Sequence, residues 1–157
     1  MNWVREQFTF NDLQKLLIKL SERVRAFHGL SPAEIGEVLA HAEKCTFEPG
    51  VAIVKEGNVG THMYIIIDGE ASVTKQGRSG DVELARLGAT DSFGEMGLAD
   101  NETRSASVTA LTPCILVRLN DQIVNARPEI GAKIYRNISR VLSSRLRSAD
   151  EALAWRL

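Results

Sequence analysis

Apolar residues return along this chain with two different periods, and the period changes twice. From the start to about Lys44 the spacing is helical: Leu13, Leu16, Leu17 and Leu20, then Val24 and Phe27. Asn11 is the expected N-cap of that helix and His28-Gly29 its expected stop. Ser31-Pro32-Ala33-Glu34 has the form of a second helix start, with a capping hydroxyl, a proline in the first turn and an acid at the third position. Ile35, Val38, Leu39 and Ala42 would form its buried face.

From about Thr46 to Leu119 the period shortens. β-Branched and apolar runs cover 51–54, 63–67, 71–74, 82–87, 105–110 and 115–119. Turn residues separate them: Glu48-Pro49-Gly50, Glu56-Gly57-Asn58, Asp68-Gly69, Gly77-Arg78-Ser79-Gly80 and Leu87-Gly88. Asp68-Gly69 between two such runs predicts a tight hairpin, because tight hairpin turns need positive φ. Many short strands at this spacing predict a small antiparallel barrel or jelly roll. Helical spacing then resumes. A short helix is expected from Asn120 towards Arg127, and Pro128 opens a longer one with Ile130, Ile134, Ile138, Val141, Leu142, Leu146, Ala149 and Leu153 on one stripe.

Composition narrows the function classes. With 157 residues, 44% hydrophobic and 25% charged, the chain has the makeup of one ordinary globular domain able to bury a core. A net charge of -1 gives no electrostatic sign of nucleic acid or of an anionic membrane as partner. Cys45 and Cys114 lie far apart and are read as buried free thiols in a reducing compartment. Met1-Asn2-Trp3-Val4-Arg5-Glu6 lacks the apolar core of a signal peptide, and no run approaches a membrane span, so a cytoplasmic location is expected. His28, His41 and His62 are scattered without metal-ligand spacing, and the expectation is no metal and no enzymatic activity.

The chemistry concentrates in Phe93-Gly94-Glu95-Met96-Gly97-Leu98 and, after a polar loop, Arg104-Ser105-Ala106-Ser107-Val108. A carboxylate can accept hydrogen bonds from a sugar hydroxyl, and an arginine fork can grip a phosphate. Glycines let backbone N–H groups approach that phosphate closely. A helical turn over 95–99 would point its first N–H groups into a concavity, with Gly97 leaving room for the anion. Ser105 would add a hydroxyl donor beside Arg104. Taken singly, each residue also has a structural reading: Glu95 as a helix-start acid, Arg104 as a surface charge, the glycines as turn residues.

In combination these blocks resemble the cyclic nucleotide-binding domains of the bacterial catabolite activator protein, cyclic-nucleotide-regulated kinases and gated channels. The resemblance runs from about Leu39 to Leu146 and also rests on Glu48-Pro49-Gly50, Glu56-Gly57, and Met63-Tyr64-Ile65-Ile66 leading into Asp68-Gly69-Glu70. It implies a mixed α and β fold: an antiparallel, jelly-roll-like β-roll over 45–119, flanked by N-terminal helices over 1–44 and C-terminal helices over 120–157. It makes the whole chain, 1–157, a single domain with a phosphate-binding cassette at 93–106.

The ligand would be cAMP or cGMP, with no cofactor. The resemblance places Glu95 on the ribose 2′-hydroxyl and Arg104 on the cyclic phosphate, with Gly94, Met96, Gly97, Leu98, Ser105 and Ala106 around them. Val73, Leu84 and Leu87 are candidate base contacts, core packing being the other reading of each. Arg145, at the distance beyond Pro128 where relatives close the pocket, is a candidate to stack on the purine; a solvated helix charge is its alternative. Ser105, where guanine-preferring relatives often carry threonine, points to cAMP. Two positions depart from the pattern: Thr103 stands where many relatives have proline, and Thr90 where a glycine is usual.

The resemblance implies a regulatory sensor whose C-terminal helix moves on binding and is read by an unidentified protein effector. Two alternatives stand beside it. One is the ligand-binding part of a catabolite-activator-type transcription regulator, lacking its DNA-binding domain. The other is a scaffold or dimerisation module without ligand. The helix stripe continuing to Ala149 and Leu153 suits a homodimer through that helix or a cover over its own barrel, with Trp155 as an anchor in either case.

Overall fold

The run 63–67 is apolar at every position because it is buried on both faces, and the molecule is organised around it. The computed structural model describes residues 3–156, apart from the side chain of Trp3; Met1, Asn2 and Leu157, at the ends of the expected 1–157 unit, lie outside the described residues. In chain order the elements are β1 (Trp3–Gln7), α1 (Phe10–Arg23), a 3-10 turn (Arg25–Phe27), α2 (Pro32–His41), β2 (Glu43–Phe47), β3 (Ala52–Val54), β4 (His62–Asp68), β5 (Ala71–Gly77) and β6 (Gly80–Leu87). They continue with β7 (Ser92–Phe93), α3 (Met96–Ala99), β8 (Ser107–Ala110), β9 (Cys114–Asn120), α4 (Asp121–Val124) and α5 (Pro128–Ala154).

Two antiparallel sheets form the roll, a five-stranded one in the order β1-β2-β9-β4-β7 and a four-stranded one in the order β3-β8-β5-β6. Side chains alternate across a strand, so Met63, Ile65 and Ile67 of β4 pack under the helices while Tyr64 and Ile66 point into the roll. β9 repeats the division, with Val117 and Leu119 towards the helices and Cys114 and Leu116 inside. A strand covered on both sides reads as a continuous apolar run.

The helices are set by local chemistry. Ser31 and Glu34 form the expected reciprocal capping box at the start of α2. The cap of α1 is Thr9 rather than the expected Asn11: its hydroxyl accepts from the Asp12 amide while the Asp12 carboxylate accepts from the Thr9 amide. α1 stops at Arg23, before the expected His28-Gly29, and the chain turns through 25–27 into Gly29 at φ +78°.

α5 is anchored along its first half, where Ile130, Ile134, Ile138 and Val141 are each 4% exposed or less; each such burial contributes roughly 1.5–3 kcal/mol. Beyond Val141 no residue of α5 is buried, and Leu146 and Leu153 stand exposed. No helix among the described residues is long and apolar enough to cross a membrane.

Two expectations need correction. Asp68-Gly69 does not close a hairpin. β4 and β5 belong to different sheets, and the turn carries the chain from one to the other. Gly69 is required there by its φ of +97° and by Cys114, whose Cα would sit 2.9 Å from any added Cβ. The tight hairpin lies one strand later, where Gly77 pairs with Gly80 across Arg78-Ser79. The first zone is also not wholly helical: β1 pairs along β2, with Val4 opposite Thr46, as an exposed edge strand without any apolar alternation.

Candidate functional site

A cavity of about 590 Å³ opens between the four-stranded sheet, the segment 93–106 and α5. Its apolar wall comes from Val54, Val73, Ala85, Leu87, Phe93 and Val108, and α5 closes it with Leu142, Arg145 and Leu146. Phe93 is fixed from behind by Tyr64, its cross-strand partner, with ring centroids 5.1 Å apart and stacked.

The polar end is built from the two blocks the sequence singles out. Glu95, 2% exposed, precedes the short helix α3. Its Oε1 accepts from the Ser92 hydroxyl at 2.7 Å and its Oε2 from Arg145 at 3.1 Å. A carboxylate has about four acceptor positions, so further acceptor capacity remains beside the cavity. The Arg145 guanidinium also donates to the Ser92 carbonyl at 2.9 Å. A single side chain of α5 is thus bonded to both ends of the 92–95 turn.

Arg104 is half-buried and donates to the carbonyls of His62 at 2.6 Å and Gly94 at 3.2 Å. Its backbone is strapped to the 57–60 loop: its amide donates to Asn58 and its carbonyl accepts from Gly57. Three glycines make room for the guanidinium. A Cβ on Gly60 would overlap it outright, and one on Gly94 or Gly97 would come within 2.8 Å of Nη1. Gly94 additionally holds φ +77°, and a Cβ on Gly97 would strike the Gly60 carbonyl. Gly97 therefore makes room for Arg104 and for backbone. Burial lowers the Arg104 pKa from its usual value, Tyr64 acts in the opposite sense and the Arg118 charge adds to the lowering. An arginine stays protonated through such a shift, so the site holds a partly desolvated cation for which an anion would compensate.

Of the expected site residues, Gly94, Glu95, Met96, Gly97, Arg104, Ser105, Ala106, Val73, Leu87 and Arg145 line this one cavity. Two do not. Leu84 is 56% exposed, on the outer face of β6. It lies three residues from Leu87, so strand alternation puts the two on opposite faces, and Ala85, paired with Val73, takes the inward place. Leu98 is buried in the core beneath the helices, where it pins α3 down. The Arg145 guanidinium at the lining is bonded to Glu95 and Ser92 and is therefore not the fully solvated helix charge of its alternative reading.

Comparison with known proteins gives the arrangement its family. The profile named "Cyclic nucleotide-binding domain" matches residues 44–126. The chain belongs to this family. Among relatives, the cyclic AMP receptor protein of Thermus thermophilus is 31% identical over 125 residues, covering 79% of this chain and 58% of that protein. The cAMP-dependent protein kinase regulatory subunit of Mycosarcoma maydis is 29% identical over 119 residues, covering 69% of this chain and 22% of that one. The solved structure of the Thermus thermophilus catabolite activator protein superposes with a TM-score of 0.77 at 30% identity, covering 83% of this chain and 62% of that one. The chain thus spans less than two thirds of the length of either relative.

Within this cyclic nucleotide-binding fold, sequence reasoning overlooked Gly60, Ser92, Ala85, Leu142 and Leu146 as site residues. Ala85 is recoverable from strand parity with Leu87, and Ser92 from its place three residues before Glu95. Gly60 has no local signature, since its role appears only when Arg104 folds across it. Leu142 and Leu146 are visible as part of the α5 stripe, but nothing local says that this end of the stripe covers a cavity.

Proposed function

We propose that this chain binds a cyclic nucleotide monophosphate in the cavity beneath α5, cAMP in preference to cGMP, and signals occupancy through α5. The observation that carries the reading is the convergence of Glu95 and Arg104 on one cavity, a buried carboxylate and a desolvated guanidinium, with an apolar wall beyond them. Its volume of about 590 Å³ suits a small ligand, within the roughly 300–1,000 Å³ of small-molecule sites. Glu95 receives the ribose 2′-hydroxyl and Arg104 the cyclic phosphate, while the purine lies against Val73, Ala85 and Leu87 under Leu142 and Leu146. Ser105 at the lining and the names of both relatives, which refer to cyclic AMP, support the adenine preference.

Because Arg145 bonds directly to Glu95, a ligand that engages Glu95 is sensed by α5 without any intermediary. Binding draws 93–106 inward and α5 repacks over the cavity, so two states differ in the surface they present. The distal part of α5, with Leu146 and Leu153 exposed and Trp155 91% exposed just beyond it, is the surface that changes; a protein effector or a second copy of the chain reads it. The site binds its ligand rather than transforming it: of the carboxylates at the lining, Glu95, Asp100 and Glu102, the buried one, Glu95, is held by Ser92 and Arg145.

Calorimetry with cAMP, cGMP, AMP and a cyclic dinucleotide tests the reading. Saturable heat with cAMP, weaker with cGMP and absent with the other two, is expected. Absence of cAMP binding at millimolar concentration would contradict it.

A further inference from the structure

A second cleft, of about 230 Å³, lies between the end of α1, the turn that follows it and α5. The α5 residues that line it, Asn137, Arg140 and Val141, lie roughly 140° around the helix from Leu142, Arg145 and Leu146, which cover the larger cavity. Arg23, Arg25 and Arg140 converge on it from three elements, with His28 beside them and Glu22 as the lone lining carboxylate among the described residues. None of these three guanidiniums has an ion pair or hydrogen-bond partner among the described residues.

Asn137 makes the cleft a built feature. It is 5% exposed, and its side-chain amide donates to the carbonyls of Ala26 at 3.0 Å and His28 at 2.7 Å. Those bonds fix the segment carrying Arg25 against α5. They also satisfy two backbone acceptors, one of them on His28 at the lining. The lining thus carries three arginines against one carboxylate, around a space less than half the volume of the other cavity.

We propose that this cleft is a second binding site, for a phosphate-type anion held between Arg23 and Arg25 on one side and Arg140 of α5 on the other. Guanidinium forks match phosphate oxygens two at a time, and three arginines against one carboxylate leave the lining with an excess of positive charge for an anion to meet. The assignment stands independently of the cyclic nucleotide reading, since neither Glu95 nor Arg104 takes part.

The test is an NMR titration of the full chain with inorganic pyrophosphate at constant ionic strength, following the His28 ring and the arginine side-chain N–H signals. Saturable shifts at Arg23, Arg25, Arg140 and His28 are expected. Arg140→Gln should weaken the affinity about tenfold, the effect of losing one charged hydrogen bond, and Arg104→Ala should leave it unchanged. Arg25→Gln should give the same weakening as Arg140→Gln, which keeps the test open if one of the two fails to fold. O-phosphoserine as a second probe separates the sources: binding equal to pyrophosphate indicates a phosphoryl group on a side chain, and binding of pyrophosphate alone a free anion, either result supporting the site. Shifts that never saturate, that chloride reproduces at equal ionic strength, or that vanish in Arg104→Ala would overturn it.

Discussion

Replacing Arg145 by alanine should loosen the far end of α5 while leaving the rest of the fold in place. The side chain makes two bonds, to Glu95 Oε2 at 3.1 Å and to the Ser92 carbonyl at 2.9 Å. Both are donated by a charged guanidinium, and a hydrogen bond to a charged group contributes about 1.5–3 kcal/mol. Two effects reduce the sum. The Arg145 side chain is 49% exposed, so water replaces part of what it gives. Ordering a long side chain also has an entropic cost of up to about 2 kcal/mol. A net loss of about 1–2 kcal/mol follows, or a fall of roughly 2–8 °C in melting temperature for a chain of this size.

The direct assay is a double-mutant cycle in urea with Glu95→Gln, which keeps the bond from Ser92 but removes the charge. Coupling of about 1–2 kcal/mol is expected. Amides beyond residue 145 should lose exchange protection while those of 130–141, held by Ile130, Ile134, Ile138 and Val141, keep theirs. Arg145→Lys should fall between the extremes, because one ammonium cannot span both partners as a fork does. Coupling below about 0.3 kcal/mol, the level of independent sites, together with unchanged exchange, would refute the argument that this ion pair holds α5 to the 92–95 turn.

Other predictions rest on separate observations. Thr90 has φ +77°, where a side chain costs about 1–2 kcal/mol and glycine about 0.5–1 kcal/mol of chain entropy, so Thr90→Gly should stabilise by about 0.5–1 kcal/mol in urea titration; a lower stability would show that the threonine is not strained. Gly60→Ala should leave the fold standing, because the three atoms nearest the added Cβ all belong to the Arg104 side chain, which can be displaced without moving backbone, yet reduce cyclic nucleotide affinity at least about tenfold. Gly97→Ala, which meets the Gly60 backbone, should lower the melting temperature instead; equal melting for the two variants would contradict this division. His62 has its pKa lowered, first by burial and then by the Arg118 charge. The unfolded chain therefore takes up its proton first, and stability should fall as pH drops through about 6.5 towards the depressed folded value. His62→Gln should flatten that slope between pH 7 and 5.5, and an unchanged slope would assign it elsewhere.

Much of this architecture is legible because the deciding chemistry is local. Ser31 and Glu34 specify the start of α2 within four positions, and Pro128 opens α5 where a missing N–H does no harm. Glu95 and Arg104 stand out for the same reason, as charged residues set among glycines and apolar runs. What escapes the sequence depends on partners far along the chain. β1 exists only through pairing with β2, and Gly69 turns between sheets because Cys114 lies beneath it. Gly60 matters through Arg104, and Arg145 finds Glu95 across fifty positions. Leu84 is the exception, since its parity with Leu87 already places it outside.

The central claim is that Arg104 and Glu95 together hold a cyclic ribose phosphate, and titrating cAMP into the unaltered protein and into Arg104→Ala tests it most directly. Calorimetry should show binding in the first and a loss of about 2–5 kcal/mol in the second, the range for removing one partner of a buried charge pair, with a melting curve confirming that the variant is folded. Equal cAMP affinity in the two folded proteins would contradict the account.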